Sequence, residues 1–262
     1  MSRYESFWDR PLDQRFIDDP EWRGGLKLEL TGPDPLRSFG VIEDAAGEIE
    51  KIARGLSPTS GADGFRETCL LMGGALAGRS ASIAAWDKYV VQDERHPYEV
   101  FAAEKNNAGV EWWFSDVVGR LLAGGRHGWL SLWFNVRTVL ELHQLDSNPN
   151  RILSLIELTT RRFHANEDSS TIWTPGLIIG QAAPWIAVND AVTIAGSSTQ
   201  AIVAAHTGTD AFVMHARLAD IAVNFLLAAI DQGSPVLPSI ALLMQSALIG
   251  ARIPIGSPTS AL

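Results

Sequence analysis

The residues Gly73-Gly74-Ala75-Leu76-Ala77-Gly78-Arg79-Ser80 have the spacing of a phosphate-cradling loop, G-x-x-x-x-G-K-[ST], with arginine where the motif has lysine. In such a loop the glycines let backbone N–H groups wrap phosphates, the lysine reaches the β/γ-phosphates, and the hydroxyl binds Mg²⁺. Used that way, the segment predicts a buried strand at Cys69–Met72, a helix after Ser80, and a parallel sheet. A second apolar strand at Trp185–Val188 would then end near Asp190, the magnesium-side acid. This is a nucleotide-binding enzyme as an alternative reading. Two features oppose it: the lysine is missing, and Ala75-Leu76-Ala77 favours helix inside the loop. The simpler expectation is a small-residue helix that packs closely, with Gly74 and Gly78 on one face.

Other catalytic and metal chemistries have little to stand on. The sequence contains no C-x-x-C, H-E-x-x-H or Glu-x-x-His, so the usual zinc and di-metal spacings are absent. Glu141, His143 and Asp146 are close in sequence, but helical spacing puts His143 on an apolar stripe and Glu141 elsewhere. Asp18-Asp19-Pro20-Glu21 reads as a solvated turn. There is no G-x-S-x-G elbow, and Cys69, set among Leu70, Leu71 and Met72, is expected to be a buried, inert thiol. His96, His127, His164, His206 and His215 could each meet a serine or acid in space, which selects none of them. No cofactor or metal is expected, and the balance leans away from an enzyme. An all-helical enzyme or carrier with a Trp-lined apolar pocket is a further alternative.

Charge directs attention to the middle of the chain. Of 262 residues, 30 are acidic and 21 basic, a net charge of −9. Residues 1–119 hold 13 Lys/Arg against 21 Asp/Glu, whereas residues 120–164 hold six arginines against three acids. Residues 165–262 hold only Arg217 and Arg252 against six acids. A basic stretch between acidic ones allows a local polyanion site on an acidic protein. Asp116–Arg120, Arg137–Glu141 and Glu157–Arg161 are spaced i, i+4, which fits surface ion pairs. Arg126, Arg151 and Arg162 have no such local partner. On a helix, Arg151 and Arg162 share a flank about 16 Å apart, a spacing suited to an extended polyanion. Trp129, Trp133 and Trp173 could supply stacking platforms for bases. The expected nucleic-acid contacts are therefore Arg126, Arg151 and Arg162, with Arg120, Arg137 and Trp129 beside them.

The elements that would position these groups read mainly as helices. Residues 1–40 look like an extended aromatic and polar arm, broken by prolines at 11, 20, 33 and 35, whose Tyr4, Phe7, Trp8, Phe16 and Trp22 need a surface to cover them. Helices are expected at 41–55, 65–78, 80–92 and, opened by Pro97, near 98–105. Three apolar stripes follow: Val110, Trp113, Phe114, Val117 and Leu121; then Trp129, Leu132, Trp133, Val136, Leu140 and His143; then Ile152, Leu155, Ile156, Thr159 and Phe163. Further helices are expected near 176–188, 198–206, 210–231 and 236–250, although Val192, Ile194 and Ile202 would also suit strands. The uncharged runs 169–189 and 232–251 are diluted by proline, glutamine and hydroxyl side chains, so they read as buried helices and not as membrane spans.

The expected fold is a mainly α, multi-helix globular domain, in one or two lobes, with an N-terminal arm (1–40), a helical lobe (41–164), and a charge-poor helical lobe with a short C-terminal tail (165–262). The plan is similar to that of helical viral nucleoproteins and coat proteins, an analogy of architecture that no family motif carries. It implies a homo-oligomer, joined through the arm and C-terminal segment, that coats single-stranded RNA in the cytoplasm or in a virion. The absence of an apolar leader near Met1 and the single cysteine fit a cytosolic setting.

Overall fold

A computed structural model of the chain describes residues 46–55, 64–105, 111–123, 131–142, 188–205 and 210–255. These residues are 82% helical, with one two-stranded sheet, so the fold is mainly α. The expected arm at 1–40, the stripe at Ile152–Phe163, the helix near 176–188 and the C-terminal tail lie outside the described residues. Residues 46–55 are helical and bury Ile49 and Ala53.

The core is organised around helix α1, Phe65–Ala85. Every residue from Glu67 to Ser82 is buried. The sequence suggested two helices split near Gly78-Arg79, and the structure corrects this to one continuous helix. Three interior glycines should each cost about 1 kcal/mol of helix propensity, but here they admit neighbouring helices that a side chain would hold off. A helix buried all round also has no polar stripe, which is why its periodicity is weak. It starts at Gly64, whose φ of 104° suits glycine, and Thr68 Oγ1 donates to the Gly64 carbonyl at 2.7 Å. After Ala85 the helix widens into a π-helical segment, Trp86–Gln92. That segment closes with Asp93 N–H on the Lys88 carbonyl and Arg95 N–H on the Tyr89 carbonyl.

Next comes a second correction. Helix α2 is only Pro97–Val100, capped by His96, and strands β1 (Ala102–Lys105) and β2 (Glu111–Phe114) stand where helices were expected. They pair antiparallel, Ala102 opposite Phe114 and Lys105 opposite Glu111. The run Trp112-Trp113-Phe114 supports this, because bulky aromatics suit a pleated surface with two usable faces. Trp112 is 6% exposed, while Trp113 stacks on Trp86 at 5.6 Å and meets Phe101 at 5.2 Å.

Helices α3 (Asp116–Ala123) and α4 (Leu132–Leu142) pack on each other. In α4 the described part of the expected stripe, Leu132, Trp133, Val136 and Leu140, is buried, while Trp129 and His143 lie outside the described residues. Three longer helices complete the core: α5 (Val188–Ala205), α6 (Ala211–Asp231) and α7 (Val236–Arg252). Val192, Ile194 and Ile202 are helical, so the strand option at those residues is removed. Asp210 caps α6 by accepting from the N–H groups of Phe212 and Val213. Gly233, at φ 89°, turns the chain from α6 into α7. Helix α1 packs against α5, α6 and α7 together.

Among the described residues one helix, α6, is long and apolar enough to cross a membrane by composition. Its outward stripe, however, carries Arg217, Asp220, Asn224 and Asp231 at helical spacing, while Leu218, Ala222 and Leu226 are fully buried. That is the pattern of a helix covering a protein core.

Candidate functional site

The G-x-x-x-x-G-R-S segment is neither a loop nor preceded by a strand. Residues 73–80 lie in the middle of α1, where their N–H groups are committed to helical hydrogen bonds. A phosphate cradle needs those groups turned outward, so the segment cannot act as one in this fold. The glycines serve a helix crossing. A Cβ on Gly74 would lie 2.0 Å from Ser246 Oγ and 2.3 Å from the Leu243 carbonyl, and one on Gly78 would lie 1.8 Å from the Ala247 carbonyl. From the other side, a Cβ on Gly250 would lie 2.5 Å from the Ala75 carbonyl. Helices α1 and α7 therefore meet backbone to backbone.

The polar groups at this crossing tie helices together. Arg79, 2% exposed, donates to the carbonyls of Ile253 and Pro254 just beyond α7. Burial pulls its pKa below the usual guanidinium value. Ser82 Oγ donates to the Ala251 carbonyl. Ser80 Oγ lies 2.9 Å from His215 Nδ1, and His215 Nε2 lies 3.4 Å from the Leu121 carbonyl. A carbonyl only accepts, so a ring N–H facing Leu121 is the donor there, and the single Ser80 hydroxyl proton is shared between His215 Nδ1 and the Ala77 carbonyl.

Ser80 and His215 form a serine–histidine contact that the sequence left unassigned among five histidines. Its geometry is poor for nucleophilic catalysis. Ser80 is 3% exposed and His215 0%, the distal ring nitrogen faces a carbonyl and not a carboxylate, and Ser80 Oγ also lies 2.8 Å from the Ala77 carbonyl. The contact joins α1, α3 and α6 inside the core.

Cys69 is buried as its neighbours suggested. Its thiol is pushed up to about 12, first by burial and then by the Glu50 carboxylate, with Arg54 opposing. At pH 8 roughly one thiol in ten thousand is ionised. Native protein should therefore resist iodoacetamide at pH 8 and react promptly once unfolded. Fast labelling of the native chain would contradict this burial. The sign of the linkage follows. Below pH 9 both states keep the proton, whereas above it only the unfolded chain readily loses it. Stability should then fall with rising pH by up to about 1.4 kcal/mol per unit between pH 9 and 12, and Cys69→Ser should flatten that slope.

The expected nucleic-acid residues are only partly described. Arg120 is half-buried on α3, and Arg137 is exposed on α4 with its Nε 2.6 Å from Glu141, the expected i, i+4 pair. Arg126, Trp129, Arg151 and Arg162 lie outside the described residues, as do the Glu157–Arg161 pair, His143 and Asp146. The structure adds an exposed aromatic the sequence had not singled out: Phe134, 36% exposed and one turn before Arg137. It also buries Arg252 at 4% exposure, with its guanidinium 4.9 Å from the Phe114 ring. Nothing in a lone arginine near the end of an apolar run separates that fate from a solvated one. On α6, Asp220 accepts from Asn135 at 3.4 Å and from Arg217 at 3.5 Å, and burial raises its pKa against the pull of Arg217. Among the described residues no three His, Cys, Asp or Glu side chains converge on a metal position.

The chain matches no protein-family model, no curated protein and no solved structure.

Proposed function

We propose that the chain is a self-assembling structural protein that coats single-stranded RNA through its arginine-rich middle segment, residues 120–164. The observation that carries this reading is the pairing of Phe134 and Arg137 on one outward face of α4, within a stretch of six arginines and three acids. A partly exposed ring can add a stacking edge beside a base, and guanidinium groups neutralise phosphates without reading sequence. The Arg137–Glu141 pair is 55% exposed on both sides, and such pairs contribute little. A phosphate can replace the carboxylate at small cost. The helical core beneath is held by close crossings and buried polar ties, which suits a rigid body repeated along a strand. The setting would be the cytoplasm or a virion.

The purified protein should then form large particles whose 260 nm absorbance falls after nuclease treatment. Replacing Arg126, Arg151 and Arg162 with alanine should weaken RNA binding and lower the slope of log affinity against log salt by about 2, from roughly 0.7 per single-strand phosphate contact. An unchanged slope, or a small species free of nucleic acid, removes the RNA reading.

A further inference from the structure

We infer that the surface built by the π-helical segment, α2 and β1 docks the arginine-rich segment of a second copy of this chain. This rests on the reading of residues 120–164 as an outward cationic surface, but not on that surface binding RNA.

Three large apolar side chains are exposed among the described residues, and two of them, Val91 at 57% and Tyr98 at 65%, fall on the stretch from 91 to 99. The interior beneath is already filled. Trp86, Phe101 and Trp113 pack on one another, and the Arg95 guanidinium covers the Tyr89 ring at 5.2 Å. Helix α2 packs on the π-helical segment and on β1, which makes the three a continuous surface. Val91 and Tyr98 lie outside that packed cluster, with the Tyr98 ring against the His96 ring at 5.4 Å.

The charges around them indicate what can cover them. Of the cations on this surface, Lys88 holds Asp93 at 3.0 Å, Arg95 lies over Tyr89, and Lys105 stands opposite Glu111 in the hairpin. Glu94, Glu99 and Glu104 are all exposed, and no cation among the described residues pairs with them. An exposed phenol ring among unneutralised carboxylates is complementary to guanidinium groups, which fork onto carboxylates and stack on aromatic faces. This chain carries such a partner in residues 120–164, which hold six arginines, Arg137 among them beside the partly exposed Phe134 on α4. The acidic face and the basic segment are different parts of the chain, so the contact is head to tail and each copy keeps one face open for the next. Carboxylates and phosphates compete for the same arginines, which makes this a contact of the RNA-free protein.

The test uses nuclease-treated, full-length protein and sedimentation velocity at low and high salt. Wild type should grow beyond a single chain with concentration at low salt and dissociate at high salt. Glu94→Lys/Glu99→Lys should stay a single chain, with association roughly a hundredfold weaker or worse, and so should Arg151→Glu/Arg162→Glu. Tyr98→Ser should weaken association without altering charge. Equal amounts of the two charge-reversed proteins should associate again, because the arginines of the first meet the intact carboxylates of the second, the two reversed faces are also opposite in charge, and both variants must be folded to make these contacts. A wild type that stays a single chain, variants that associate like wild type, or a mixture that does not associate each overturns the inference. RNA affinity of Glu94→Lys/Glu99→Lys is measured separately. If RNA binding is absent while the mixing result holds, the coating proposal fails and this one stands; the reverse result separates them the other way.

Discussion

Gly78→Ala is expected to destabilise the protein by about 3 kcal/mol or more, lowering its melting temperature by about 10 °C. An alanine in an open helix position is worth up to about 1 kcal/mol over glycine, so the direction is not set by propensity. It is set by the atom the methyl would meet. At Gly78 that is the Ala247 carbonyl oxygen at 1.8 Å, with the carbonyl carbon at 2.6 Å and Cα at 2.9 Å. No rotamer change relieves a clash with backbone. Helix α7 would have to move outward by more than an ångström, giving up contacts along the whole crossing, and the Ser82–Ala251 and Arg79–Ile253 bonds span the same helix pair. Two comparisons isolate the cause. Gly47 lies in the helical residues 46–55 with nothing within 4 Å of its added Cβ, so Gly47→Ala should stabilise by a few tenths to about 1 kcal/mol. Gly73 would meet the Phe225 ring at 3.1 Å and the Ala222 Cα at 3.3 Å, a smaller misfit that should place Gly73→Ala between the other two. Denaturant unfolding of the three variants checks the order. A Gly78→Ala protein as stable as wild type would mean that α1 and α7 do not cross this closely.

What the sequence disclosed follows from which helices have a wet side. In α4 the buried residues Leu132, Trp133, Val136 and Leu140 recur at helical spacing because the opposite face, with Arg137 and Glu141, is in water. Helices α6 and α7 were legible for a related reason, their length and their bounding turn at Gly233-Ser234-Pro235. In α1 the stripe vanishes because every side is covered, so glycines that only permit close approach looked like an interruption. The small-residue face of Gly74 and Gly78 could still be read, since it needs only their spacing. The hairpin was missed because an apolar run as short as Trp112–Phe114 fits a strand or a helix turn equally. The ties at the α1–α7 crossing were beyond local reading. Ser80 meets His215 across 135 positions, and Arg79 meets Ile253 across 174. Neither partner carries a local sign of the other. Of the proposed RNA contacts, the charge partition was legible from composition, whereas the exposed ring of Phe134 required the helix to be oriented first.

Arg79→Ala should cost about 3 kcal/mol or more, and the reason is what the guanidinium holds and not its charge alone. It is 2% exposed and donates to two successive carbonyls, Ile253 and Pro254, where the chain leaves α7. Those carbonyls lie past the end of α7, and Ile253 is itself 6% exposed. Bonds from a charged donor contribute about 1.5–3 kcal/mol each, and a buried acceptor left without a donor costs about 1–3 kcal/mol. Against this stands the desolvation of the guanidinium, which substitution relieves. The two contributions are separable by shape. Arg79→Met keeps most of the volume and removes every donor, so its cost reports the bonds minus the relief. Arg79→Ala adds the cavity and should be worse than Met by about 1–2 kcal/mol. Arg79→Lys keeps the charge but offers a compact ammonium in place of the planar fork, so it cannot span both carbonyls as arginine does. It should fall below wild type as well. A second measurement reads the position directly. With the tie removed, residues 253–255 should become cleavable by a protease under conditions where wild type is resistant, while cleavage elsewhere is unchanged. If Arg79→Met is as stable as wild type and equally resistant at 253–255, desolvation outweighs the bonds, and α7 is positioned by its glycine crossing and the Ser82–Ala251 bond without the arginine.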